Sequence, residues 1–171
     1  IDTYTGLHFK NETRYTAVPW VCASCHNLPM VNGVEQKNGT EFRADAFSVR
    51  EGEIAVSFAG AYPAEAGVEK LLRRLCLTEE GLALTDRFSF ADEKRRTVAE
   101  VLMSVLPVGV EADTVILGGR YCLVAPGARI RTEFIPFADP KLRRDWSCEG
   151  VTRIFLEFEN AEKISIKAEK I

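Results

Sequence analysis

Residues 73–90 of this chain read RRLCLTEEGLALTDRFSF and have the pattern of a β-hairpin. Alternate positions are apolar across residues 82–90, which is typical of a strand with one buried face. The polar segment 78–81 ends in glycine and has the composition of a turn. Before it, Leu75 and Leu77 continue the alternation, so the stretch predicts two antiparallel strands joined by a short connection.

One charged residue interrupts the apolar face of this predicted hairpin. Asp86 lies on the same face as Leu82, and a buried carboxylate that lacks a partner is costly. If Leu77 opposes Leu82, then Arg73 opposes Asp86, and opposite charges in that position stabilise a sheet. We therefore predict a structural Arg73–Asp86 ion pair. A register shifted by one residue would instead place Arg74 opposite Asp86. The alternative role of Asp86 is that of a general base, but no histidine lies near it in the sequence.

The same two-residue period recurs along the chain and predicts an all-β protein. Further strands are indicated at residues 54–58, 153–158 and 164–166, and by a Gly118-Gly119 hairpin signal between Thr114–Leu117 and Tyr121–Val124. Strands at this spacing, separated by turn signals, predict an antiparallel β-sandwich. We assign residues 1–171 to one such domain.

Two segments fit the strand pattern less clearly. Thr97–Leu106 shows both a helical stripe and a strand face, with Ala99, Val101 and Met103 on the latter, and we favour a strand. Ala64–Arg74 contains good helix formers, so its composition does not agree with an all-β protein.

Composition restricts the partners and the compartment. A formal net charge of −3 and a pI near 5.5 give no global field for nucleic acid or an anionic membrane, so neither is expected as a partner. No run approaches the roughly 18 apolar residues of a membrane span. Five cysteines, an odd and scattered set, favour thiols in a reducing compartment, and we predict a cytoplasmic location. Because the chain begins Ile1-Asp2, we expect it to be part of a longer protein.

The sequence Cys22-Ala-Ser-Cys25-His26 matches the attachment motif of a c-type haem. Covalent haem also needs an export pathway and a second axial ligand, so we expect no haem. A redox pair is the second interpretation. We predict a strand over Ala17–Ser24, on which side chains three apart face opposite sides, and therefore expect Cys22 and Cys25 to remain two inert thiols.

Several short segments, taken in order, resemble the heparinase II/III family of polysaccharide lyases. They are Tyr4-Thr5, Arg14-Tyr15, His26-Asn27-Leu28-Pro29, Asn32-Gly33 with Gln36, Phe58–Gly67, Asp86-Arg87-Phe88, Asp139–Leu142 with Trp146, and Thr152-Arg153-Ile154. Each segment is modest alone, but their order and spacing are specific, and they span nearly the whole chain.

The resemblance implies a parent protein in which an N-terminal α/α toroid precedes a C-terminal all-β domain. This chain corresponds to most of that β domain and lacks the toroid, which would be its partner. Such enzymes cleave acidic, uronate-containing polysaccharides by β-elimination. A base removes the proton beside the carboxyl group and an acid protonates the leaving oxygen. We expect the fragment to be inactive alone, and its uncovered apolar interface predicts a tendency to dimerise.

The resemblance also implies particular site residues. His26 matches one ligand of the family's structural zinc, and the other ligands would lie upstream of Ile1. Zinc takes four ligands, or three with water, so we expect it in the parent and not in this chain. Tyr4 and Tyr15 flank the family's active-site segment and are the catalytic candidates, with ordinary packing as the alternative. The alternative function is a non-catalytic β-sandwich that binds carbohydrate or another domain.

Overall fold

The computed structural model of the protein describes residues 22–92, 96–138 and 140–171. Within them, two antiparallel sheets pack face to face, which confirms the predicted all-β sandwich. The strands are β1 Pro29–Val31, β2 Ala46–Arg50, β3 Glu53–Ser57, β4 Val68–Leu77, β5 Gly81–Phe90, β6 Val98–Ser104, β7 Val108–Glu111, β8 Thr114–Leu117, β9 Tyr121–Val124, β10 Arg129–Pro136, β11 Gly150–Phe158 and β12 Lys163–Lys170. In the described part of the chain, a short helix, α1, spans Pro140–Trp146, and 3-10 turns span Ala23–Cys25, Ala59–Ala61 and Ala64–Ala66.

The two sheets differ in size. The smaller has the order β1-β6-β11-β10, and the larger has the order β2-β3-β4-β5-β12-β9-β8-β7. A main core of apolar side chains lies between them, including Leu71, Ile154, Leu156 and Ile164. A second cluster forms where Leu142 of α1 packs with partners such as Val151 and Met103, which lie on the outer face of the smaller sheet.

The β4–β5 hairpin has the register that the sequence predicted. Leu77 is paired with Leu82, Leu75 with Leu84 and Arg73 with Asp86. Gly81 begins β5 with a φ of +152°, and a Cβ there would collide with the carbonyl of Ala168 on β12. A side chain at position 81 is therefore excluded by the close approach of the neighbouring strand.

Both ambiguous segments belong mainly to strands. Thr97–Leu106 contains β6, as favoured from its pattern. The helix formers of Ala64–Arg74 produce only one 3-10 turn, which ends at Gly67 in the left-handed conformation. From Val68 onward the chain is β4, because pairing with both β3 and β5 outweighs local helix propensity.

Two local predictions need correction. The strands β8 and β9 have the predicted bounds, but the loop between them contains Arg120 as well as the two glycines. The predicted strand over Ala17–Ser24 is wrong in its described part, because the chain turns in a 3-10 conformation at Ala23–Cys25. The remainder of that segment lies outside the described residues. No helix in the described part of the chain is long and apolar enough to cross a membrane.

Candidate functional site

A buried ionic network joins the two sheets at the centre of the sandwich. Arg73 donates from Nε to Asp86 Oδ1 at 2.9 Å and from Nη2 to Asp86 Oδ2 at 2.6 Å. The same Nη2 donates to Glu100 Oε2 at 2.6 Å. Since Glu100 lies on β6 of the smaller sheet, the Arg73 side chain spans the interface between the layers. The sequence predicted the cross-strand pair but not this third member.

Glu100 gives the network an excess of carboxylates over guanidinium groups. Both Glu100 and Asp86 have no exposed area, and Glu100 Oε1 has no hydrogen-bond partner among the described residues. Burial, reinforced by the negative charge of Asp86, raises the pKa of Glu100 well above its ordinary value, although Arg73 opposes this. The arrangement therefore favours a proton on Glu100, which leaves one negative charge to face one guanidinium.

The network also fixes the segment that contains the predicted zinc ligand. Arg73 Nη1 donates to the carbonyl of Asn27 at 2.8 Å, directly after His26. Asn27 Oδ1 in turn accepts from the backbone amide of Met103 at 2.9 Å, and the Tyr62 hydroxyl donates to the carbonyl of Pro29 at 2.6 Å. The turn that carries His26 is thus tied to both sheets.

His26 lines a pocket of about 320 Å³ together with Cys22, Leu28, Glu35 and neighbouring residues. Glu35 is held there by the Ser24 amide, which donates to Oε2 at 3.1 Å. Among the described residues, no group of three or more His, Cys, Asp or Glu side chains is arranged to hold a metal ion. This part of the chain therefore does not fit a complete zinc site, and we assign no chemical step to zinc.

A second concavity, the arginine cleft, lies on the outer face of the smaller sheet. Its volume is about 580 Å³, and its lining includes Met30, Ala99, Arg129, Arg131, Phe155 and Glu157. Alternate residues of a strand face opposite sides, so β10 turns Ile130 toward the core and Arg129 and Arg131 outward. The edge position of β10 leaves both guanidinium groups accessible from solvent.

The charges of the arginine cleft are arranged around one carboxylate. Arg129 Nη2 lies 2.6 Å from Glu157 Oε2, and Arg131 Nε donates to Glu157 Oε1 at 3.3 Å. The guanidinium carbon of Arg131 also lies 3.7 Å from the ring centroid of Phe155, and that of Arg153 lies 5.0 Å from it. Stacking on the ring orients the arginine while leaving donors for a planar anion such as a carboxylate.

Some of the predicted site residues lie close together in the structure, and others lie outside its described part. Arg73 and Asp86 are in contact, and His26 lies at a pocket on the chain segment that Arg73 anchors. Tyr4 and Tyr15 lie outside the described residues. The structure also brings Cys22 Sγ to 3.6 Å from Cys25 Sγ, so the expectation that these thiols would not meet is wrong. The cause is the 3-10 turn, which replaces the extended strand assumed there.

Comparison of the chain with protein-family models gives no match, and comparison with curated protein sequences gives none either.

Proposed function

We propose that this chain is the β domain of a heparinase II/III-like polysaccharide lyase and that it binds the acidic polysaccharide in the arginine cleft. The observation that carries the proposal is the outward-facing pair Arg129 and Arg131 in a cleft of about 580 Å³. That volume is within the usual range of ligand sites, about 300–1,000 Å³. Guanidinium groups match carboxylate and sulfate geometry, because two N–H groups can donate in parallel.

Glu157 has a defined part in this binding. It holds both arginines in position when no ligand is present. A uronate carboxylate would then compete with Glu157 for the same donors, which limits affinity for a single sugar and favours a chain with several acidic groups.

The enzymatic part of the proposal concerns the longer parent protein. The toroid would supply most of the groups that remove the proton beside the uronate carboxyl and protonate the leaving oxygen. The ordered resemblance motifs support this assignment, and Tyr4 and Tyr15 remain its catalytic candidates. His26 is proposed as one zinc ligand of the parent, with the remaining ligands upstream of Ile1. A cytoplasmic location remains a prediction from the cysteine count.

An apolar patch is available for the toroid partner. Phe47 and Val49 on the edge strand β2 are 65% and 61% exposed, and Ile54, the residue paired with Val49, is also exposed. Adjacent apolar side chains of this kind mark interaction surfaces. In the isolated fragment the same patch is proposed to support dimerisation.

Arg131→Ala is expected to weaken binding of an acidic oligosaccharide, such as a uronate hexamer, by about tenfold or more. This corresponds to the loss of hydrogen bonds to a charged group, about 1.5–3 kcal/mol. Isothermal titration calorimetry at low salt would measure the effect. Arg74→Ala is the matched control, since Arg74 is similarly exposed and also pairs with a glutamate, Glu53, but lies outside the cleft.

Glu157→Gln provides the opposite change in the same assay. It removes the competing carboxylate, so affinity for the acidic oligosaccharide should rise while a neutral oligosaccharide is unaffected. Equal losses of affinity for Arg131→Ala and Arg74→Ala would contradict the cleft assignment.

A lyase assay on the parent protein, following the unsaturated uronate by ultraviolet absorbance, separates the enzyme from the alternative of a non-catalytic carbohydrate-binding sandwich.

A further inference from the structure

Cys22 and Cys25 have the geometry of a dithiol that can close. The Cys25 amide donates to the Cys22 carbonyl at 3.1 Å, and the two Sγ atoms are 3.6 Å apart. A turn of this type keeps its first and fourth Cα atoms within about 7 Å. Disulfides need a Cα separation of about 4.4–6.8 Å and an S–S length of about 2.05 Å, so closure requires the sulfur atoms to approach by roughly 1.5 Å.

The two thiols differ in access to solvent. Cys22 is half-buried and lines the His26 pocket, whereas Cys25 is only 2% exposed. A reagent in the pocket therefore reaches the Cys22 thiol before the Cys25 thiol, which lies beside it.

We propose that Cys22 and Cys25 form a reversible disulfide by exchange with a low-molecular-weight disulfide of the glutathione type. The Cys22 thiolate attacks one sulfur of the small disulfide, forms a mixed disulfide and releases one small thiol. Cys25 then loses its proton and attacks the Cys22 sulfur, which releases the second small thiol. The protein loses two protons and two electrons, and the small disulfide gains them. This site is independent of the proposed glycan function.

Formation of the Cys22–Cys25 disulfide would affect the residues that contact the 3-10 turn at Ala23–Cys25. Arg153 Nη1 donates to the carbonyl of Ser24 at 3.2 Å and lies 3.9 Å from Cys25 Sγ, and Arg153 also contacts Phe155 of the arginine cleft. The disulfide would therefore form at the point where the His26 turn contacts the outer face of the smaller sheet.

Treatment with oxidised glutathione, followed by alkylation and tryptic mapping, tests the proposal directly. Residues 15–37 form one tryptic peptide that contains Cys22 and Cys25 and no other cysteine. We expect this peptide to become lighter by two hydrogen atoms, to resist alkylation, and to return to the dithiol form with dithiothreitol. Cys25→Ser should stop at a stable glutathione adduct on Cys22, whereas Cys22→Ser should give no adduct on Cys25.

Cys148→Ser is the matched control, because Cys148 is another half-buried cysteine but packs in the cluster around α1. It should close the Cys22–Cys25 disulfide as the wild-type protein does. An unmodified 15–37 peptide in the wild-type protein, or an adduct there that never resolves, would overturn the proposal. This readout uses the wild-type chain, so it remains decisive even if a serine variant fails to fold.

Discussion

Arg73→Met is expected to lower the free energy of unfolding by about 3–5 kcal/mol, the usual cost of removing one partner from a buried ionic group. Methionine retains much of the aliphatic volume, so the loss reports the charge and its hydrogen bonds more than packing. Asp86 and Glu100 would be left without their guanidinium, and the Asn27 carbonyl would lose its donor. Urea denaturation at neutral pH, monitored by tryptophan fluorescence, measures the change.

The adjacent arginine is the control for this prediction. Arg74 lies on the same strand, faces solvent and pairs with Glu53 at 3.0 Å. Surface ion pairs contribute about 0–1 kcal/mol, so Arg74→Met should change stability by no more than that. A loss below about 1 kcal/mol for Arg73→Met, or similar losses for the two variants, would show that the inter-sheet network contributes little to stability.

Much of the fold could be predicted because apolar and polar residues alternate along the sequence of each strand. The observed hairpin register is the one obtained by pairing Leu77 with Leu82, whereas the alternative, shifted by one residue, would have placed Arg74 opposite Asp86. The same reasoning applied to β6 would have found Glu100, which lies between Val98 and Leu102 and interrupts an apolar face as Asp86 does.

The features that could not be predicted depend on contacts between residues that are distant in sequence. The meeting of β4 with β6 across the core places Glu100 beside Arg73, and nothing in either strand's pattern encodes that pairing. The arginine cleft likewise needs the β10–β11 register, which brings Arg129 opposite Glu157 and Arg131 opposite Phe155. The prediction that Cys22 and Cys25 lie apart on a strand was wrong for a local reason, because the sequence has no strong signal for a 3-10 turn there.

Glu100→Gln is expected to remove the pH dependence of stability that the buried Glu100 predicts for the wild-type protein. The pKa of Glu100 is raised in the folded state above its ordinary value near 4.5, mainly by burial. Between these two values the folded protein keeps a proton that the unfolded chain has lost. Stability therefore falls as pH rises through this window, with a slope that approaches about 1.4 kcal/mol per pH unit, and it levels off once Glu100 ionises in the folded state as well.

Glutamine reproduces the neutral form of Glu100 at every pH. Its carbonyl can accept from Arg73, and its amide can donate toward Asp86, so the network stays satisfied without titrating. The charged groups that face Glu100, Arg73 on β4 and Asp86 on β5, as well as the nearby Tyr62, are present in both proteins, and their contributions largely cancel in the difference.

The difference in unfolding free energy between Glu100→Gln and the wild type should therefore grow in favour of the variant as pH rises from about 4.5. Glu53→Gln, measured in the same series, accounts for the removal of a carboxylate from a surface pair. A wild-type advantage that increases with pH would contradict the prediction, because it would mean that Glu100 is more stable as a carboxylate inside the sandwich than in water. Such a result would require Arg73 to compensate both buried carboxylates at once, although within the described part of the chain Glu100 Oε1 has no hydrogen-bond partner.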